Sequence, residues 1–274
     1  MSLEQVRRAV GVTAAADGTA IGVTDLGGVA RGGLFGGQVV AQALSAAGLH
    51  VPDGSVPVSI HAHLVGASRV GPPVEYRVER VRDGRGLQHR VVRGEQGGKL
   101  IVHATVVSGV LTDGPDWQRP SMPGVAPPDL RPDAPPAMFA FLSVGAFEIA
   151  APLPSEPSAP EPRPHPFWIR TYAEVPEDPW SWGAVHAYWS DLGLNGDARR
   201  VHHRIAGPLW SVSATHAVWL HRRTPPHEWH LFDVAVQSLH GNLGYVQASL
   251  FHGSGALSAS AGQTVFVRAP TDRP

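Results

Sequence analysis

Gly36 to Gly48 reads GGQVVAQALSAAG, a run with no charge and only two glutamines and a serine to interrupt its apolar residues. As a helix it would have no solvated face, so it must be buried on most sides by the rest of the chain. The next stretch of chain can do that. Segments 58–65, 74–81 and 87–110 have the composition of β-strands, the last folded back on itself at Gly97-Gly98. The first part of the chain therefore reads as one buried helix followed by antiparallel strands.

The same order recurs. A helix is expected over 182–194, then strands over 212–220, 229–236 and 242–267. VEYRVERV at 74–81 has WHLFDVAV at 229–236 as its counterpart, 155 positions later, and that offset also pairs His61 with His216 and Gly86 with Gly241. After two extra residues, 98–100 faces 255–257 and 101–110 faces 258–267. Such constant spacing marks an internal duplication. Fifteen of the 26 prolines fall between Asp113 and Pro166, where a missing N–H makes regular structure hard to build. Three segments result: a unit over 1–112, a proline-rich linker over 113–165, and a second unit over 166–274. Within the linker, 137–150 is apolar enough to dock as a helix or strand. The expected fold is α+β, a double hotdog: two fused units, each a helix wrapped by antiparallel sheet, packed as a pseudo-dimer. The duplication predicts that His61 and His216 occupy equivalent places to within about a residue.

Composition narrows the chemistry. A formal net charge of −1 gives no electrostatic footprint for nucleic acid or an anionic membrane. With no cysteine, disulfides, zinc–thiolate sites and cysteine nucleophiles are excluded. Arg7-Arg8 does not open a twin-arginine signal, because Asp17 and several glycines interrupt the apolar stretch it needs. No run of about 18 apolar residues exists to span a bilayer, so a cytoplasmic protein is expected. The G-x-S-x-G elbow, the G-x-G-x-x-G fingerprint, the P-loop and H-E-x-x-H are all absent. His61 and His63 alternate on one strand and share a face, but the glutamate that a cupin-type metal site requires does not come after them. They read as hydrogen-bonded strand histidines, and no metal is expected. His202-His203 lies in a loop-like, surface stretch, while His216 and His221 face opposite ways.

Asp191 stands among Trp189, Leu192 and Leu194, where a carboxylate is unfavourable unless it has partners or a task. On the residues alone it could equally be a solvated group near a helix end. Ser213 and Gln263 could likewise be ordinary strand residues.

A resemblance adds to this. Phe35-Gly36-Gly37-Gln38-Val39-Val40-Ala41-Gln42, then Arg82-Asp83-Gly84-Arg85 with Arg90, Gln96 and Gly98, resemble the acyl-CoA thioesterase II (TesB-type) family. So do Trp168-Ile169-Arg170, Ser190-Asp191-Leu192 and the segment from His216 to Arg222. The resemblance covers nearly the whole chain outside the linker. It implies a thioesterase that hydrolyses acyl-CoA, with Asp191, Ser213 and Gln263 holding the attacking water and Gly36, Gly37 and Gln38 at the substrate. Such hydrolysis needs no cofactor, the charge balance predicts no nucleic-acid or membrane partner, and the sheet edges of the fold with a tryptophan-rich second half predict a homo-oligomer. Arg69, Arg82 and Arg85 are candidates for the CoA phosphates. The chain departs from the family at Thr215, at Thr264-Val265 and over 64–68. Two other readings are a non-catalytic acyl-CoA-binding protein and a hydratase, which would need a histidine beside the carboxylate; His186 is the nearest in sequence.

Overall fold

In chain order the first unit consists of α1 (Leu3–Val10), β1 (Thr13–Ala14), β2 (Ala20–Gly22), the short pair β3 (Gly28–Val29) and β4 (Gly33–Leu34), α2 (Gly36–Gly48), β5 (Val56–Leu64), β6 (Val74–Asp83), β7 (Leu87–Gln96) and β8 (Lys99–Gly109). The second has β9 (Phe147–Ala150), β10 (Phe167–Thr171), α3 (Pro179–Trp189), α4 (Leu194–Ala206), β11 (Trp210–Leu220), β12 (His230–His240), β13 (Leu243–His252) and β14 (Leu257–Arg268). This computed structural model describes residues 3–24, 28–29, 33–126, 128, 146–150, 166–207 and 210–268.

Twelve strands form one sheet in the order β1-β2-β6-β7-β8-β5-β11-β14-β13-β12-β10-β9. Each unit contributes six, and the units join where β5 pairs antiparallel with β11, Ile60 opposite Val218 and Ala62 opposite His216. The sheet wraps α2 and α3. As its composition demands, α2 is buried from Gly37 to Leu44. Its polar side chains have partners inside: Gln42 donates to the Val23 carbonyl and accepts from the Tyr76 hydroxyl, and Ser45 donates to the Val10 carbonyl. The two helices run antiparallel with glycines where they touch. A Cβ on Gly37 would come within 2.4 Å of the Tyr188 carbonyl oxygen, and one on Gly48 within 2.7 Å of the Trp180 indole. At the β7–β8 hairpin, Gly97 and Gly98 both have positive φ, as a two-residue turn requires.

Three expectations need correction, and a fourth is refined. The second helix is not one element over 182–194. Asp178 accepts from the Ser181 N–H and Pro179 opens the first turn, so α3 starts earlier. It stops at Trp189, and Gly193, at φ 83°, re-aims the chain into α4. His202 and His203 therefore lie in a helix rather than a loop, His203 exposed as expected and His202 half-buried. The equivalence of His61 and His216 holds to within one residue, as expected, and the structure fixes the exact partner. Matching bulges interrupt β5 between Pro57 and Ser59 and β11 between Ser213 and Thr215, after which Ile60 faces Val106 as His216 faces Gln263. Ile60 is thus the counterpart of His216. Finally, four strands at the outer ends of the sheet, β1, β2, β9 and β10, add to those read from sequence; β9 is the end of the apolar 137–150 stretch, whose first nine residues lie outside the described part.

The described start of the linker has no regular structure but is anchored. Met122 and Val125 pack on Trp168, Leu231, Phe251 and Leu257, and the Gln118 amide bonds the backbone of Gly255 and Leu257.

Candidate active site

Asp191 lies just past the end of α3, in a turn held by the Ser190 hydroxyl on the Ala187 carbonyl and by the Leu192 N–H on the Trp189 carbonyl. Trp189, Leu192 and Leu194 around it are fully buried, and Asp191 itself is 8% exposed. The carboxylate has partners from both units. Its Oδ2 accepts the Gly37 N–H at 2.8 Å, at the start of α2, and its Oδ1 accepts Gln263 Nε2 at 2.6 Å. It caps α2 from across the molecule, where the first N–H groups are unsatisfied and the helix dipole favours negative charge. Gly36 is what permits this approach: a Cβ there would sit 2.7 Å from Oδ2.

Strand β11 supplies two inward side chains that simple alternation would separate. Ser213 and His216 are three residues apart and would face opposite ways on a regular strand. The bulge at Ala214 absorbs one residue, so both point toward Asp191 and Gln263. Gln263, fully buried on β14, gives one amide hydrogen to Asp191 and the other to Ser213 Oγ at 2.7 Å. Its Oε1 is buried with no partner among the described residues. Ser213 Oγ also accepts from Asn195 Nδ2 at 2.8 Å. His216 is fully buried; its Nε2 meets Ser190 Oγ at 2.7 Å and its Nδ1 stands 3.9 Å from Asp191 Oδ1. Because the Ser190 hydroxyl donates to Ala187, Nε2 carries the imidazole proton and Nδ1 is a bare acceptor.

Burial sets the protonation states. It pushes the Asp191 carboxyl up to about 7, against the opposing pull of the bonds from Gln263 and Gly37. It lowers His216 to about 4, so the His216–Asp191 approach involves a neutral imidazole and is no ion pair. Tyr188 is raised by burial and then by the Asp191 charge. A buried carboxyl poised near neutrality, with a neutral imidazole and an unfilled carbonyl oxygen beside it, is suited to taking a proton from water.

The three residues inferred from sequence as catalytic thus form one hydrogen-bonded group, and Gly36 and Gly37 lie against it. Gln38 is bonded elsewhere, its Nε2 donating to the Val23 carbonyl at 3.0 Å. His186 is not bonded to Asp191; it lies among Trp189 and His230, lowered to about 3 by burial. His61 and His63 are exposed, His61 against the edge of Trp219. Arg90 has a structural place, its guanidinium on the His50 carbonyl at the end of α2 and on Asp83. Gln96 pins the backbone of Arg69 and Pro72. Arg82 and Arg85 are exposed, and Arg69 is largely so. Sequence reasoning does not reach Asn195 or the place of His216. The signal for Asn195 is Gly193, which breaks the helix and turns the next residues back over the site.

Two helix-and-sheet units fused through a central strand pair, with one buried carboxylate between the helices, form a double hotdog of the thioesterase class. The chain matches the acyl-CoA thioesterase N-terminal domain over residues 27–109 and the acyl-CoA thioesterase C-terminal domain over 120–267. It is 30% identical over 256 residues to acyl-coenzyme A thioesterase 8 of Homo sapiens, covering 86% of this chain and 80% of that one. It is 28% identical to acyl-CoA thioesterase 2 of Haemophilus influenzae, covering 86% and 87%. In fold it is similar to the tesB protein of Mycobacterium avium subs paratuberculosis, with a TM-score of 0.80 at 24% identity over 97% of this chain and 100% of the other. The chain belongs to the acyl-CoA thioesterase family and is a thioester hydrolase.

Proposed function

We propose that this protein hydrolyses acyl-CoA to a free fatty acid and CoA, with Asp191 and Gln263 positioning and deprotonating a water and Ser213 meeting the thioester oxygen. The observation that carries the reading is Asp191 itself: a buried carboxylate, near neutral pKa, bound by one unit's helix and the other's sheet. Asp191 takes one proton from water as the water oxygen bonds to the thioester carbon. The carbonyl oxygen becomes an oxyanion, toward which the Ser213 hydroxyl donates. As the tetrahedral intermediate collapses, the C–S bond breaks and the leaving thiolate takes the proton back from Asp191. Both hydrogens of the Gln263 amide are occupied, so its part is to orient Asp191 and Ser213 and to accept from the water through Oε1. The Gly37 N–H is occupied by Asp191 and is not the oxyanion donor. General-base catalysis contributes about 10²–10⁴-fold, leaving the rest to binding and oxyanion stabilisation.

In this reading the unit over 1–112 supplies α2 and its glycines, the unit over 166–274 supplies the three catalytic groups, and 113–165 joins them and adds β9 to the second unit's sheet. The acyl chain lies along the apolar helices, with Gly36, Gly37 and Gln38 beside it and the CoA phosphates near Arg69, Arg82 and Arg85. No metal or organic cofactor takes part. The protein works in the cytoplasm in fatty acid metabolism; among the described residues no helix is long and apolar enough to cross a membrane. Exposed Trp219 and Tyr245 support assembly of further copies through the outer face of the sheet.

The test is thiol release from octanoyl-CoA by the wild type and Asp191→Asn. Asparagine keeps the shape and removes the base, so kcat should fall about 10²-fold or more with KM nearly unchanged. A fully active Asp191→Asn would overturn the assignment. Octanoyl-CoA bound but not cleaved by the wild type would make the protein a binding module.

A further inference from the structure

A serine hydroxyl has one proton to give and two lone pairs to fill. At Ser213 both lone pairs are filled from within the protein, by Gln263 Nε2 at 2.7 Å and Asn195 Nδ2 at 2.8 Å. Neither donor is incidental. Gln263 is fully buried and its other hydrogen is fixed on Asp191. Asn195 sits in the first turn of α4, an element placed between α3 and β11, while the first unit passes from α2 to β5 through 49–55 alone. Its Oδ1 is buried without a partner among the described residues, so the contact with Ser213 is the hydrogen bond its side chain makes.

We propose that Asn195 is a positioning residue for thioester hydrolysis: with Gln263 it fills the acceptor capacity of Ser213 Oγ, so that this hydroxyl acts in the site only as a donor toward the thioester oxygen. The inference rests on the function proposed above and assigns a polarity to it. Without Asn195, Ser213 could rotate to accept from the attacking water, and the oxygen that gathers charge would lose a fixed donor. With Asn195 in place the roles separate. Gln263 Oε1 and Asp191 accept from the water, and Ser213 donates to the oxyanion.

Asn195→Asp tests this because it keeps the shape and inverts the polarity. A carboxylate at 195 accepts the Ser213 proton and turns the hydroxyl away from the substrate. With octanoyl-CoA at pH 8, kcat is expected to fall about 10²-fold, the scale for loss of one oxyanion donor, with KM within about twofold. Asn195→Ala, which removes the amide without adding an acceptor, is expected to lose about tenfold. Both effects should vanish in a Ser213→Ala background, where no hydroxyl remains to orient. A merely structural Asn195 would lower the melting temperature and depress kcat as much with Ser213→Ala as without it, which would overturn the proposal. So would an Asn195→Asp enzyme with wild-type kcat, since Asn195 would then be accepting from Ser213. Asp191→Asn separates the two claims: if that variant is active, the proposed mechanism falls and takes this inference with it, whereas an inactive Asp191→Asn beside a fully active Asn195→Asp removes this inference alone.

Discussion

The antiparallel helix pair has two ends, and the duplication makes them equivalent in backbone but not in chemistry. At one end Asp191 caps α2 from the opposite unit, backed by Ser213, Gln263 and His216. At the other, the matched bulges place Pro57 where Ser213 would be, Val106 for Gln263 and Ile60 for His216. The residue one past the helix cap is His50 in place of Asp191, its carbonyl held by Arg90. Here α3 is capped by its own Asp178, the Trp180 indole fills the space over Gly48, and Pro57 lies against Gly183. The apolar end is closed by packing and the polar end is kept by hydrogen bonds. Duplication supplied two potential sites, and among the described residues only one of them joins a buried carboxylate to an amide and a hydroxyl.

The two ends should differ most when the same position is truncated at both. Gln263→Ala removes the bonds to Asp191 and Ser213 and should lower kcat about 10²-fold. Val106→Ala, its counterpart, should leave kcat per folded molecule unchanged and lower stability by about 2 kcal/mol for the lost buried methyls. Thiol-release kinetics with urea denaturation of both variants decides it; a kcat loss in Val106→Ala would mean that the apolar end takes part in turnover.

Much of this is legible in the chain itself. The charge-free run at 36–48 and the repeat forecast the buried helices, and an aspartate flanked by Trp189, Leu192 and Leu194 stands out as a carboxylate in need of partners. The rest is hidden for two reasons. A β-bulge leaves no mark on composition, so the offset that pairs His61 with His216 is one residue out, and the shared inward aim of Ser213 and His216 does not show. Apolar periodicity also carries the second helix through Gly193, although the left-handed turn there ends one helix and brings Asn195 onto Ser213. Gln38 stands in the most specific motif, and its amide donates to the Val23 carbonyl, a bond the sequence does not announce.

A smaller effect separates the charge at the polar end from the packing around it. The Asp191 carboxyl titrates at about 7 in the folded protein against an ordinary 3.8. Between those values the folded state binds more protons than the unfolded one, so the contribution of this group to stability falls as pH rises through that window and stays low above it. Asp191→Asn carries no such charge. Its melting temperature relative to wild type should therefore climb from pH 5 to pH 8, while wild-type kcat/KM rises over the upper part of the same range as the base ionises. His216, lowered from 6.5 to about 4, has the opposite sign: the unfolded state binds more protons, and stability is lost as pH falls below 6.5. Both proteins share that acid limb, so it cancels in the difference. A difference that is flat with pH would show that Asp191 is not a buried, raised carboxyl.

The smallest effect is expected from restoring part of the missing site. Pro57→Ser puts a hydroxyl at the counterpart of Ser213, on the same bulge of the equivalent strand. A hydroxyl alone has nothing to work with there. Val106 offers no amide to hold it, His50 is no carboxylate, and the α3 N-terminus already has Asp178. Turnover of octanoyl-CoA should stay within about twofold of wild type, and stability should drop by about 1 kcal/mol as the unfolded chain regains the freedom proline removed. The readout that matters is the double variant with Asp191→Asn. If the apolar end is a closed remnant, Pro57→Ser adds no activity to that background; any recovery would mean that the second end still binds and activates a thioester, and that the asymmetry argued from Pro57, Val106 and His50 is one of degree.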